Sequence, residues 1–264
     1  VQLNDVIGKL PYRLALAGGW IDQPFVSRCN PESPGSMVVV GLLPTVRYMD
    51  RSGMATSTRR VAERLWGEEL PPGEPGELMR ALYHAENDGK AEPSGAQDMA
   101  GLIYPGISRL DFDARSEGGY FPAHVESNND RQTARWLEEV MYLVPVMQRP
   151  DGYNPLETQN LDPSWIRRLG QSGKDCYAAI CARDLRGLGE SMNECMLCWE
   201  AILPSTVRHD TIRIDLMALL KAYQQCYAGA MYSGCGGGYL CVASDRPVPG
   251  GFKINVRTEG SAAS

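Results

Sequence analysis

Four stretches of this sequence hold residue types that do chemistry, and each also has an ordinary reading. Residues 10–24 (LPYRLALAGGWIDQP) run from an apolar segment into Gly18, Gly19 and then Asp22. A strand ending in a tight turn leaves the same trace, because glycine turns without steric cost. Residues 51–60 (RSGMATSTRR) place Gly53, Met54, Ala55, Thr56, Ser57 and Thr58 just before the apolar-periodic stretch 61–66. Free N–H groups at a helix start favour an anion such as phosphate; a Ser/Thr N-cap is the plain alternative. The Walker pattern GxxxxGK[ST] is absent. Residues 233–242 (SGCGGGYLCV) hold Gly236, Gly237 and Gly238 ahead of an apolar run. Three glycines entering a strand are costly in entropy, which points to a close backbone approach rather than a loose turn.

The fourth stretch, 84–106, carries two carboxylates, Glu86 on a helix and Asp98 after Pro93, Ser94 and Gly95. Asp98 leads into Met99, Leu102 and Ile103. A carboxylate in such a setting is paired or functional, or else a first-turn acid favoured by the helix dipole. Other chemistries find little support. The three histidines are scattered, no GxSxG occurs, and Cys195 and Cys198 sit at helical spacing without a second CxxC.

The elements that must position these residues follow from periodicity and breakers. Strands are expected at 14–19, 37–43, 107–112, 141–147, 239–244 and 252–256. Helices are expected at 54–66, 77–88, from Ser94, and at 131–140, 162–169, 176–184, 185–202 and 211–228. Strands and helices mix without regular alternation, so the fold class is α+β in two layers. The polar break SNND at 127–130 divides the chain into 1–129 and 130–264.

The 264 residues carry 43% apolar and 22% charged side chains, enough for a packed core. A net charge of −6 argues against a nucleic-acid partner, which needs a basic face. No apolar run is long enough to span a membrane, and no signal peptide is expected at the start. The eight cysteines fall in apolar patterns and read as reduced small hydrophobes, which places the chain in the cytoplasm.

Taken in order, these segments resemble the motifs of the GHMP kinases, the superfamily of galactokinase, homoserine kinase, mevalonate kinase and phosphomevalonate kinase. PYRLALAGGWIDQP resembles the first motif, and its GG-x-x-D-x-P form is similar to the heptose-phosphate kinase and fucokinase branch. RSGMATSTRR resembles a degenerate phosphate loop, usually G-L-G-S-S-A. SGCGGGYLCV resembles the third motif, EPSGAQD the segment bearing the catalytic Asp, and residues 182–194 a helical hairpin.

The resemblance implies an N-terminal phosphate-loop domain and a C-terminal ferredoxin-like domain. It implies ATP and Mg2+, with a sugar or sugar phosphate as the partner and a homodimer as a compatible assembly; no nucleic acid or membrane partner is implied. It makes Asp98 the base and Arg13 its ionic neighbour, and gives Asp22, Gly19, Gly236 and Gly237 to the substrate. Gly53, Met54, Ala55, Thr56, Ser57 and Thr58 would cradle the nucleotide phosphates, and Glu86 with Ser57 would hold the metal. The implied activity is phosphorylation of a sugar hydroxyl. The alternatives are a sensor of the same fold without turnover and, below it, an ATP-using decarboxylase. Two departures stand out: Ala55 replaces a glycine of the phosphate loop, and only thirty residues separate Asp22 from Gly53. Arg59 and Arg60, which follow the loop, are either further phosphate contacts or solvated surface.

Overall fold

The computed structural model describes residues 7–91 and 93–260. The first sheet is antiparallel, in the order β1 (Tyr12–Ala15), β2 (Gly35–Leu42), β3 (Ile107–Phe112), β4 (His124–Asn128). The second has β6 (Gly229–Gly234), β7 (Gly237–Ala243), β5 (Met141–Met147) and β8 (Phe252–Lys253) in that spatial order, also antiparallel. The helices are α1 (Pro24–Ser27), α2 (Thr56–Trp66), α3 (Pro75–Asn87), α4 (Gln97–Ile103), α5 (Arg131–Val140), α6 (Pro163–Ala182), α7 (Leu185–Ile202) and α8 (Leu216–Cys226). The expected mixture of helix and sheet, without βαβ alternation, is what forms.

All eight residues of β2 are buried, because α4 and α6 both pack against it. A strand covered on both faces reads as an unbroken apolar run, here MVVVGL, instead of an alternation. The first sheet is drawn from residues before 129 and the second from residues after 140. Helix α6, from the later half, lies on β2 of the earlier half. Between the sheets, Asp130 caps α5 by accepting from Thr133 N at 2.8 Å.

Expected and observed elements coincide at β3, α5, β5 and α7. The two expected helices at 162–169 and 176–184 form one, α6. Gly170 and Gly173, which look like breakers, instead let this helix sit directly on β2. A Cβ at Gly173 would lie 1.9 Å from Ser36 O. The expected helix 211–228 starts only at Leu216, where Asp215 accepts from Ala218 N at 2.9 Å. The expected strand 14–19 ends its named ladder at Ala15, because Gly18 and Trp20 both turn with positive φ. Two strands were not expected. β4 is a half-exposed edge with no apolar alternation, and β6 is bounded by glycines.

All eight cysteines are free, and Cys195 and Cys198 are buried, as packing residues would be. Among the described residues no helix is long and apolar enough to cross a membrane.

Candidate functional site

Arg13 projects from β1 with its side chain 5% exposed. Its stem passes over α4 where Gly101 leaves room; a Cβ there would meet Arg13 Cγ at 1.9 Å. The guanidinium forms an ion pair with Asp98 Oδ1, and Nη1 donates to Gly53 O at 3.1 Å. Thr58, in the first turn of α2, donates to Asp98 Oδ2 at 3.4 Å. One buried cation thus joins the start of α4 to the turn before α2. Burial pulls Arg13 down to about 10, against the pull of Asp22 and Glu86, so it stays cationic at neutral pH. Asp98 keeps 26% of its side chain exposed, enough to meet a ligand.

Asp22 is fully buried. Gln23 and Gln97 donate to its two oxygens at 3.4 and 3.3 Å, and Gly95 packs on it so closely that a Cβ would sit 1.8 Å from Oδ2. The two glutamines line the cleft and Asp22 stands behind them. Burial raises the Asp22 carboxyl to about 6, a shift net of the attraction of Arg13. The sign follows directly. The unfolded chain ionises first, so the penalty is absent below about pH 4, grows as pH rises, and is complete above about pH 6. Asp22→Asn, which does not titrate, is expected to gain about 3 kcal/mol on the wild type between pH 4 and pH 7. Urea unfolding at the two pH values measures this; a difference that does not change with pH removes the buried carboxylate from the account.

The two glycine loops lock together. Gly53 has φ +76, and a Cβ on it would lie 2.4 Å from Ser233 O. Gly238 has φ +86, and a Cβ on it would lie 2.1 Å from Ser52 O. Ser233 Oγ donates to Ser52 O at 2.6 Å. Gly236 and Gly237 pack against Tyr153 and Met147 and do not line the cleft; Ser233, Gly234 and Cys235 do.

In the phosphate-loop segment Met54 is buried, Ser57 is exposed and Thr58 is buried. Helix α2 starts without a capping side chain. Ala55 adopts the left-handed conformation, φ 55, ψ 30, which an L residue enters at a cost. Ala55→Gly is expected to stabilise the fold by about 1 kcal/mol, a rise of roughly 3 °C in melting temperature by calorimetry. A fall would mean that the Ala55 methyl contributes more by packing than the backbone loses. Arg59 is engaged by the carbonyls of Ile7 (2.5 Å) and Leu10 (3.0 Å) and by the Tyr12 ring (4.5 Å), and Arg60 pairs with Asp50.

Glu86, at the end of α3, is 9% exposed in its side chain, and its Oε2 is buried without a hydrogen-bond partner. Its other oxygen lies 3.8 Å from Lys90 Nζ. Among the described residues no cluster of three His, Cys, Asp or Glu forms. One orphaned, buried carboxylate oxygen fits Mg2+, which retains water and phosphate ligands; it does not fit zinc. His84 lies on an exposed surface beside Tyr83 and Phe121.

Arg13, Asp98, Gln23, Gln97, Gly19 and Gly53 open onto one cleft of about 170 Å3. Trp20, Trp199 and Arg149 complete it. Trp199 Nε1 donates to Gly19 O at 3.1 Å, so this largely buried side chain also forms a wall. Arg149 is half-buried; its Nε donates to Cys235 O at 3.1 Å and its N to Arg51 O at 3.0 Å. Among the described ion pairs it has no carboxylate. Nothing local marks it in the sequence, since only the tertiary fold brings the end of β5 to this cleft. Outside α2 lies a groove of about 440 Å3 that includes Tyr12, Tyr48, Arg47 and Thr56.

No family model and no curated protein sequence matches the chain. Solved structures do. A D-glycero-D-manno-heptose 1-phosphate kinase from Bacteroides thetaiotaomicron matches at TM-score 0.57 and 13% identity, over 95% of this chain and 96% of its own. The Methanococcus jannaschii mevalonate kinase matches at TM-score 0.58 and 9% identity, over 89% of each chain. The chain has the GHMP kinase fold over nearly its whole length, as the motif order led one to expect.

Proposed function

We propose that this protein is an ATP- and Mg2+-dependent small-molecule kinase that phosphorylates a hydroxyl of a sugar or sugar phosphate. The observation that carries this reading is one cleft onto which Asp98, Arg13 and Gly53 open, with the uncapped start of α2 tied to it through the hydrogen bond from Thr58 to Asp98. Phosphoryl transfer asks little covalent chemistry of a protein and depends on positioning and charge stabilisation.

Asp98 takes the proton of the acceptor hydroxyl, whose oxygen then attacks the γ-phosphorus of ATP. The bond from that phosphorus to the bridging oxygen breaks and ADP leaves. The Asp98 proton passes to water. Arg13 pairs with the carboxylate and orients it. Arg149, which has no carboxylate partner among the described residues, faces the phosphoryl oxygens across the cleft. Gln23 and Gln97 hydrogen-bond the acceptor, and Asp22 behind them fixes their amides. The N–H groups at the start of α2 receive the nucleotide phosphates. Glu86 and Ser57 would hold Mg2+, which supplies neutralising charge when bound. A cleft of about 170 Å3 is smaller than the usual ligand pocket, so the rest of the nucleotide belongs in the groove beside Tyr12 and Tyr48. Paired amides between tryptophan walls suit a sugar better than an aliphatic acid.

Ala55 in the left-handed region favours a second reading, a binder of the same fold without turnover. Thermal shift with Mg·ATP, then ADP release over a panel of sugars and sugar phosphates, separates the two. A ligand that binds only the folded state raises its stability by RT ln(1 + [L]/Kd). A shift followed by acceptor-dependent ADP release supports the kinase. A shift with a sugar and none with any nucleotide overturns it in favour of the binder.

A further inference from the structure

Gln23 lines not only the cleft but also a second, neighbouring chamber of about 440 Å3. Its apolar faces are Phe25, Tyr120 and Leu156, and its polar groups include Arg28 and Gln159. The aromatic surface is continuous across the divide: the Phe25 ring stands edge-on to Trp20 of the cleft at 6.4 Å and 65°.

The chamber walls are held in place. Leu156 N is bound by Asn154 Oδ1 at 3.0 Å, and Gln159 Nε2 donates to Leu156 O at 3.2 Å. Glu157, between them, pairs with His209 at 3.0 Å, and Tyr153 donates to Ser205 O at 3.0 Å. Tyr120 rests against Tyr83, ring centres 6.4 Å apart. Arg28 forms no ion pair among the described residues and is exposed on the rim. Aromatic and aliphatic faces edged by an amide and a guanidinium are the mixture that receives a ring with an apolar face and polar edges.

We propose that the acceptor is a glycoside, with the hydroxyl to be phosphorylated in the cleft and a second ring, joined through the anomeric oxygen, in the chamber of Phe25, Tyr120 and Leu156. This rests on the sugar-kinase reading above and names its substrate class. Gln23 lies at the joint, within reach of both rings. A single monosaccharide would fill the cleft and leave the chamber to water.

The test compares methyl and p-nitrophenyl glycosides of glucose, galactose, mannose and fucose, in both anomers, by calorimetry. In at least one configuration the aryl glycoside is expected to bind about tenfold more tightly than the methyl glycoside. In Phe25→Ala that ratio is expected to fall to about one. Leu156→Arg, placed on a segment outside the sheets, fills the chamber by another route and should abolish the ratio too. Equal binding of both series across the panel, binding of neither, or a ratio that survives in both variants overturns the proposal. A Mg·ATP thermal shift run alongside separates this failure from failure of the kinase reading, since the nucleotide groove lies beside α2.

Discussion

Asp98→Asn is expected to lower turnover about a thousandfold while ligand binding persists. General base catalysis contributes on the order of 10^2 to 10^4, and an amide oxygen does not accept the proton. The argument rests on geometry: Asp98 has one oxygen on Arg13, the other on Thr58, and a quarter of its side chain open to the cleft. The substitution also leaves Arg13 without its carboxylate. Removing one partner of a buried pair costs about 3–5 kcal/mol. Asp98 is partly exposed and the replacing amide retains an acceptor oxygen, so the loss here should fall below that range. The measurements are ADP release under saturating Mg·ATP, calorimetric binding of nucleotide, and the unfolding midpoint of the variant. Unchanged turnover would remove Asp98 from the mechanism. Lost binding with unchanged stability would make it a ligand anchor instead of a base.

Gly238→Ala is the larger effect on stability. Its φ of +86 is unfavourable for any side chain, and its Cβ would overlap Ser52 O at 2.1 Å. Strain and overpacking together place the cost at about 4 kcal/mol. Gly67→Ala is the internal control, because Gly67 has nearly the same φ, +84, and nothing within 4 Å of the added Cβ. Only the backbone term remains there; with ψ −142 Gly67 lies outside the left-handed helical region, where a side chain costs about 1–3 kcal/mol. The difference between the two variants, measured by urea denaturation, reports the contact between the glycine loops. Equal costs would show that the loops separate easily. A large difference, with nucleotide binding also weakened in Gly238→Ala, would tie the shape of the phosphate loop to its partner loop.

Part of the cleft's lining is legible in the sequence alone. Asp98 stood out because an acid beside Met99, Leu102 and Ile103 is anomalous in its local setting, and that anomaly survives folding. Gly238 is expected at a close backbone approach and Gly53 at an anion-suited helix start, and both lie at close backbone contacts. The neighbours of Gly236 and Gly237, two residues expected at the substrate, are not legible: they are Tyr153 and Met147, side chains that no local pattern brings near. Arg149 and Gln97 escaped notice because a lone arginine and a lone glutamine look like surface residues until a cleft forms around them.

The same division runs through the fold. Periodicity, capping residues and breakers act within a few residues, so α5, α7, β3 and β5 were determined by the sequence itself, as were the order of the motifs and the α+β class. The continuity of α6 through Gly170 and Gly173, the approach of Arg149 to the cleft, and the burial of Asp22 behind Gln23 and Gln97 were decided only by tertiary structure. Each depends on what lies opposite in space. A glycine breaks a helix unless a strand backbone needs the room, and a carboxylate faces solvent unless distant side chains close over it.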